Sequence, residues 1–448
     1  MFIRSSGICC RTKNPLSFLV RSLIPFFLAL FFLSKLFTLP TPTSWSVATE
    51  RPVIWRSRRT VEWRPCNWWN EKPLVELPNK TNGYIRVDCF GGLNQMRRDF
   101  CDGIGIARLL NATLVLPRFE VAAYWNESSG FSDVFDVDNF IKQTQGFVHV
   151  VRELPEDIAI THKDPIMVDC RKRKEKFDYI EEVLPYLLKY KYISITPAMS
   201  QRRDRYPLYA KVALCQACYN ALQLNEVLES KALELLNSIP KPFLSLHLRF
   251  EPDMVAYSQC EYKGLSSSSV KAIEAARGVR KAWTGEFGNA WRKRGKCPLT
   301  PSETAFILEA LKIPRDTAIY LAAGDGLLEL DGLTSVYSNV HTKSSILSSE
   351  DFGRMHGNTK AALDYYVSIN SDAYIATYFG NMDKMVGTMR AKKDLYKTLV
   401  LNRRIFAECV WKGLAGMELA DALWVMHNND FVIGKGNALP DCFCEIKL

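Results

Sequence analysis

No aspartate or glutamate occurs before Glu50, although Arg4, Arg11, Lys13, Arg21 and Lys35 all fall in that stretch. A small-x-small cleavage site is also missing after the unbroken apolar run at 23–33, which weighs against the alternative of a cleaved signal peptide. Counted over 22–39, the run is just long enough for a bilayer, which needs roughly 17–25 residues. Lys35 stands near its far end, where a lysine can snorkel to the interface. With the basic residues ahead of it, the positive-inside rule keeps residues 1–21 cytosolic and sends the rest into the lumen. We therefore expect a type II signal anchor with the body in the lumen, and Cys9 and Cys10 on the cytosolic side as candidates for palmitoylation.

The body lacks excess charge. Of the formal charge of +10, residues 1–64 hold ten Lys/Arg and two acids, which leaves +2 for everything after them. That balance argues against a nucleic-acid partner. A dinucleotide fingerprint of the G-x-G-x-x-G type is absent, and so is an internal repeat. Cys215 and Cys218 form a C-x-x-C, but no second pair with ligand spacing lies near them, so zinc is not expected. Eleven of the thirteen cysteines follow the apolar run, and an odd number leaves at least one outside intramolecular pairs. Sequons at Asn79, Asn111 and Asn126 fit a lumenal body, Asn111 being placed between a helix and a strand where burial can block it.

Residues 40–80 are rich in Pro, Arg and Trp and carry no period; they read as a stem, with Trp63, Trp68 and Trp69 docking on the body. Residues 84–87 (YIRV) read as a strand, 91–95 (GGLNQ) as a turn, 96–110 as a helix with Phe100, Ile104, Ala107 and Leu110 on one side, and 113–117 as a second strand. This is a βαβ unit. Its glycines admit a close ligand and the helix start supplies N–H groups for an anion or hydroxyl; a plain tight turn is the competing reading. Strands follow at 147–151 and 192–195, helix at 208–238, and a buried strand at 243–249 (FLSLHLR). Residues 262–297 read as a polar, basic, Ser-rich loop insertion. Ser302 and Glu303 open a helix to 311, 318–325 is a buried strand ending in Gly-Asp, 358–363 is helical, and Asn381 caps a helix over 382–395. Two alternating runs divided near 240 imply two doubly wound α/β domains with a cleft between them.

The strand at 243 organises the chain. His247 and Arg249, two apart, share one face, and the strand runs into the acids Glu251 and Asp253. Ligands of α/β sheets sit outside the carboxyl ends of strands, and a guanidinium fork suits a diphosphate. Arg249 on the diphosphate of a sugar nucleotide is one reading; a structural ion-pair network of His247 and Arg249 with Glu251 is the other.

Taken in order, the blocks NGYIRVDCFGGLNQMRRDFCDGIGIARLLNATLVLP, WNESSGFSDVFDVDNFI, SLHLRFEPDMVAYSQC, CPLTP, IYLAAGD and ALDYYVSINSDAYIATYFGNM resemble the plant O-fucosyltransferase family, itself similar to the animal protein O-fucosyltransferases. The likeness covers about 81–395. It implies a GT-B fold: a Rossmann-like domain at 81–239 on the acceptor side, a second at 240–400 on the nucleotide-sugar side, and a helical, Cys-containing extension at 401–448. It implies GDP-fucose as donor, a protein or glycan hydroxyl as acceptor, and inverting chemistry with no metal or other cofactor. Arg249 would stabilise leaving GDP. His247, Leu248, Gly91, Gly92, Leu93 and Asn94 would line the site, Asn94 near the sugar. Asp364 would read the base, Asp372 would lie near the donor, and Asn381 and Met382 would lie on the donor phosphate. Capping or a strand-end bond competes for Asp372. No residue declares itself the base; Glu251 and Asp99 can serve, with salt bridges to nearby Arg as the stronger competing reading. Asp136 and Asp138 form a D-x-D in a block used for packing, so metal is not expected there. Departures at Asp325–Leu328 and Gly387–Arg390 leave donor and acceptor open, the alternative being a rhamnosyltransferase acting on a pectic glycan with a UDP-sugar; the lack of a nameable base keeps a second alternative, a catalytically silent glycan-binding or scaffold protein.

Overall fold

The computed structural model describes residues 61–447 apart from 70–71, 74, 118, 120–128, 162–163, 171–177, 197–205 and 431–441. The expected anchor at 22–39, the cytosolic tail, most of the stem and the sequon at Asn126 lie outside the described residues. Among the described residues no helix is long and apolar enough to cross a membrane. All of them belong to one compact body, 52–448.

Twelve strands run in chain order: β1 (Val61–Pro65), β2 (Tyr84–Val87), β3 (Thr113–Val115), β4 (Val150–Val151), β5 (Ile166–Asp169), β6 (Tyr192–Thr196), β7 (Phe243–His247), β8 (Ala318–Ala322), β9 (Val340–His341), β10 (Ala373–Ala376), β11 (Thr398–Val400) and β12 (Phe443–Lys447). They form two five-stranded sheets, ordered β4-β3-β2-β6-β5 and β11-β10-β7-β8-β9, and every pairing in both is parallel. Helices fill the crossovers, as parallel strands require. The fold is thus α/β with two parallel sheets.

The second sheet shows how the sequence builds it. Phe243 and Tyr320 share one face, and so do Tyr374 and Ala376; they join the core that holds the first sheet. Leu244, Leu246, Ile319, Leu321, Ala373 and Ile375 point the other way, into a second core closed by Leu308, Phe406 and Leu423. Period-two alternation with both faces apolar gives a sheet covered on both sides. In the first lobe, the helix Leu93–Leu109 lies very close to β2, since a Cβ on Gly103 would meet Val87 Cγ2 at 2.1 Å.

The chain end comes back to the first lobe. β12 pairs antiparallel with β1, and the bridges Cys66–Cys444 and Cys215–Cys442 fasten it. Trp69, Tyr219 and Phe443 meet edge to face, with centroids 5.4–5.9 Å apart. Part of the expected stem is therefore a strand, and Trp63 and Trp68 pack on the core as anticipated. Cys101–Cys218 and Cys260–Cys297 complete four bridges, so both cysteines of the C-x-x-C are in disulfides. Buried Cys89, Cys170 and Cys409 lie outside these four.

Two expectations fail. The supposed loop at 262–297 contains the helices Ser267–Arg277 and Gly285–Lys293. Its serines cap: the Ser269 N–H donates to Ser266 Oγ at 3.3 Å, a helix-start signal that a Ser-rich run conceals. Asn381 is not a cap but the first residue of the helix Asn381–Lys392, behind Gly380.

Candidate functional site

β7 ends at His247, with the Thr377 N–H and hydroxyl both donating to its carbonyl, at 3.0 and 2.9 Å. The imidazole is buried, and its Nδ1 lies 2.7 Å from Asp383 Oδ1. Asp383 sits in the first turn of the helix Asn381–Lys392 and is closed off from solvent. It also accepts from the Tyr374 hydroxyl at 2.6 Å and the Gly380 N–H at 2.6 Å. Burial alone would raise this carboxyl, but His247, Tyr374 and Gly380 together outweigh it and hold the group below the ordinary carboxylate range. Sequence reasoning passed over Asp383; its signal was an acid at the third helix position after Gly380.

Leu248 is buried, and its N–H donates to Ala322 O at 3.2 Å across to β8. Arg249 lies just past the strand rather than in it. Its side chain keeps 27% exposure, with Nη1 3.4 Å from Glu251 Oε1 and Nη2 3.8 Å from Asp253. Both separations are long for a charge-assisted bond, so the guanidinium is steadied without being consumed. Glu251 is buried, and its Oε1 accepts from the Gly324 N–H at 2.6 Å, which ties the β7 and β8 ends together. Its Oε2 is buried without a hydrogen-bond partner among the described residues.

The other lobe contributes the loop at 91–92. Gly91 takes φ +87°, a left-handed backbone that a side chain would strain. Gly92 caps the helix Leu93–Leu109, and its N–H donates to Gln95 Oε1 at 3.0 Å. Leu93 and Asn94 open the helix, both buried; Asn94 Oδ1 has no hydrogen-bond partner among the described residues. Arg98, four residues on and hence on the same helix face, reaches across to the second lobe, where Nη1 donates to Asn381 Oδ1 at 3.3 Å. The same guanidinium holds Asp99 at 2.9 Å. Burial pushes the Asp99 carboxyl up, against the opposing pull of Arg98. Met382 packs on the core beside Asn381. Arg98 and Asn381 thus join the helix that Gly91–Asn94 open to the helix that begins at Asn381 and Met382, and Asp383 of that second helix holds His247 at the carboxyl end of β7.

Two predicted residues stand apart. Asp372 lies at the opposite end of the sheet, where its Oδ2 accepts from the Phe243 N–H at 2.9 Å. Phe243 and His247 bound a five-residue strand, which places Asp372 about 13 Å from the carboxyl end of β7. It is the strand-end bond of the competing reading. Asp364 is sealed beneath the site inside the helix Gly357–Ile369, its oxygens taken by Lys343 Nζ at 2.8 Å and the Tyr320 hydroxyl at 2.8 Å. Burial raises its carboxyl although Lys343 opposes this.

The remaining predicted groups have local partners. Asp136 caps the helix Val137–Thr144, and Asp138 pairs with Arg152. Among the described residues no cluster of His, Cys, Asp and Glu has the grouping of a metal site. Asn79 is exposed; the Asn111 amide donates to Lys80 O at 2.8 Å, so these two sequons lie side by side.

The sequence model of the GDP-fucose protein O-fucosyltransferase family matches residues 84–393. O-fucosyltransferase 13 of Arabidopsis thaliana is 67% identical over 410 residues, 92% of each chain. Rhamnogalacturonan I rhamnosyltransferase 1 of the same plant is 34% identical, over 75% of this chain and 69% of its own. A crystal structure of POFUT1 in complex with GDP aligns at a TM-score of 0.43 and 16% identity, over 70% of this chain and 96% of that one. The chain belongs to the GDP-fucose protein O-fucosyltransferase family and is a glycosyltransferase.

Proposed function

We propose that the protein is a Golgi O-fucosyltransferase that moves fucose from GDP-fucose to a hydroxyl of a protein or glycan, with inversion and without a metal. The two parallel sheets are read as the lobes of a GT-B enzyme. The observation that carries this is Arg249, partly exposed just past the carboxyl end of β7 with its carboxylates at arm's length. In an inverting transfer the bond from the sugar's anomeric carbon to the β-phosphate oxygen breaks as the acceptor oxygen bonds to that carbon. Negative charge then grows on the diphosphate, where a preorganised cation is worth most. The acceptor proton needs a carboxylate. We assign this to Asp99 rather than Glu251: Arg98 holds Asp99 through Oδ1, but the carboxyl is raised by burial and 15% exposed, whereas Glu251 is more deeply buried and tied to Gly324. The unpartnered Asn94 Oδ1 is available to a donor or acceptor hydroxyl. Four disulfides and the exposed sequon at Asn79 suit a lumenal body.

Arg249→Ala in the purified full-length protein should cut GDP release from GDP-fucose by about 10²–10³-fold. Turnover at the wild-type rate would end the assignment. A rhamnosyl donor is the second reading. It is favoured by the 34% identical rhamnosyltransferase and by Asp364, whose oxygens face Lys343 and Tyr320 rather than a guanine. A parallel assay with UDP-rhamnose separates the two.

A further inference from the structure

We propose that the 261–297 excursion is an acceptor platform and that the acceptor it takes is an anionic, uronate-bearing oligosaccharide. This rests on the transferase reading of the Arg249 site and names its acceptor class. The excursion holds nine Lys/Arg and three acids. The remainder of the chain after residue 64 holds thirty-nine Lys/Arg and forty-three acids. The body's positive charge is therefore concentrated in this one segment. Among the described residues no ion pair involves Lys281, Arg294 or Lys296, and all three are exposed.

Aromatic faces lie among these cations. Trp283 and Phe287 are stacked, with centroids 5.3 Å apart and planes at 25°, and Phe287 is 68% exposed. Trp291 sits 6.1 Å from Trp283. Tyr257, 64% exposed, lies under the Arg280 guanidinium at 5.6 Å. An exposed apolar group of this kind marks a binding surface. A pyranose ring offers one C–H face to an aromatic plane, and a uronate adds a carboxylate for the flanking Lys and Arg. A neutral glycan would leave the cations unanswered, and an apolar peptide would leave them desolvated.

The platform is built onto the reaction site. The Trp283 N–H donates to Gln259 O at 2.7 Å, the Gln259 amide donates to Lys281 O at 2.7 Å, and Trp291 Nε1 donates to Ser258 O at 3.2 Å. All three bonds fall at the far end of the helix Pro252–Ser258, which starts three residues after Arg249. At 1.5 Å per residue that helix is about 10 Å long, short enough for one oligosaccharide to span platform and phosphate site. Cys260–Cys297 pins the base of the excursion, so the platform is held rather than hanging loose.

The test is calorimetric titration of the purified full-length protein with tetragalacturonate and, as the neutral control, maltotetraose. Tetragalacturonate should bind, weaken with added salt as exposed charge interactions do, and bind about tenfold more weakly to Trp283→Ala. Because Trp283→Ala can disturb folding, Lys281→Glu at the exposed rim is titrated beside it and should lower affinity severalfold. Equal binding of maltotetraose, no binding of tetragalacturonate, or affinity unmoved in Lys281→Glu would overturn the proposal. Thermal shifts of the wild-type protein by GDP and by UDP are measured in parallel. Binding of tetragalacturonate with no shift by GDP or by UDP would sink the transferase reading while leaving an anionic-glycan surface in place.

Discussion

Asp383 is sealed from solvent and holds three hydrogen-bond partners, His247, Tyr374 and Gly380. Removing its charge leaves an imidazole, a phenol and an N–H facing a poorer acceptor, and breaking a buried pair costs about 3 kcal/mol. Asp383→Asn should lose that much in urea denaturation at neutral pH. The pH dependence adds a sign. The folded carboxyl lies below its unfolded value of about 3.9, so its contribution is full above that pH and fades as pH falls through the folded value. Asp364 runs the other way: its folded value is raised, so its contribution is present at low pH and fades as pH rises through it. In Asp383→Asn the loss of stability below about pH 4 should be shallower than in the wild type. Superimposable acid limbs would rule out the depressed carboxylate. Arg249 was legible in sequence because a polar residue ending an apolar strand has few places to go. Its supporting residue Asp383 was not, since 136 positions separate it from His247 and only folding joins them.

Among the elements, the helix Ser267–Arg277 was hidden by its own cap, and β5 by its edge position, where Ile166 and Met167 are exposed and no alternation survives in four residues. The helix Gly357–Ile369 runs through a stretch rich in Tyr, Val and Ile, and buried packing of Leu363, Val367 and Ile369 overrides that local preference. The two excursion helices have little core of their own, as Gly285–Lys293 buries no residue fully. Cys260–Cys297 therefore adds to the few hydrogen bonds that fix them to the helix Pro252–Ser258. A cross-link spanning 37 residues is worth about 3–4 kcal/mol by chain entropy. Replacing both cysteines by serine should free the excursion more than it unfolds the body. Trypsin should then cut at Arg277, Arg280 or Lys281, beside fully exposed Val279, markedly faster than in the bridged protein. Equal cleavage rates would show that the excursion is held by other means.

At the scale of the molecule, the alternating strand–helix pattern was enough to see two α/β halves, but not how they are joined. One core runs from the first sheet through Phe243, Tyr320 and Tyr374 of the second. The tail that follows the second sheet is bridged to Cys66 and Cys215 of the first lobe, over separations of 378 and 227 residues that no local signal reports. Arg98 to Asn381 and Arg97 over the Tyr365 ring at 4.8 Å add polar ties across the same join. Two lobes that share a core, with the tail of the second bridged back to the first, cannot unfold separately without exposing that core. Calorimetry of the full chain should therefore show the two lobes melting in a single transition. GDP, if it binds only the folded state, should move that transition as a whole, by about 2.7 kcal/mol at a hundredfold excess over its dissociation constant. UDP should move it less if guanine is the preferred base. Two separated transitions, with only the later-chain lobe responding to GDP, would mean that the shared core does not couple the halves and that the donor site is the property of one lobe.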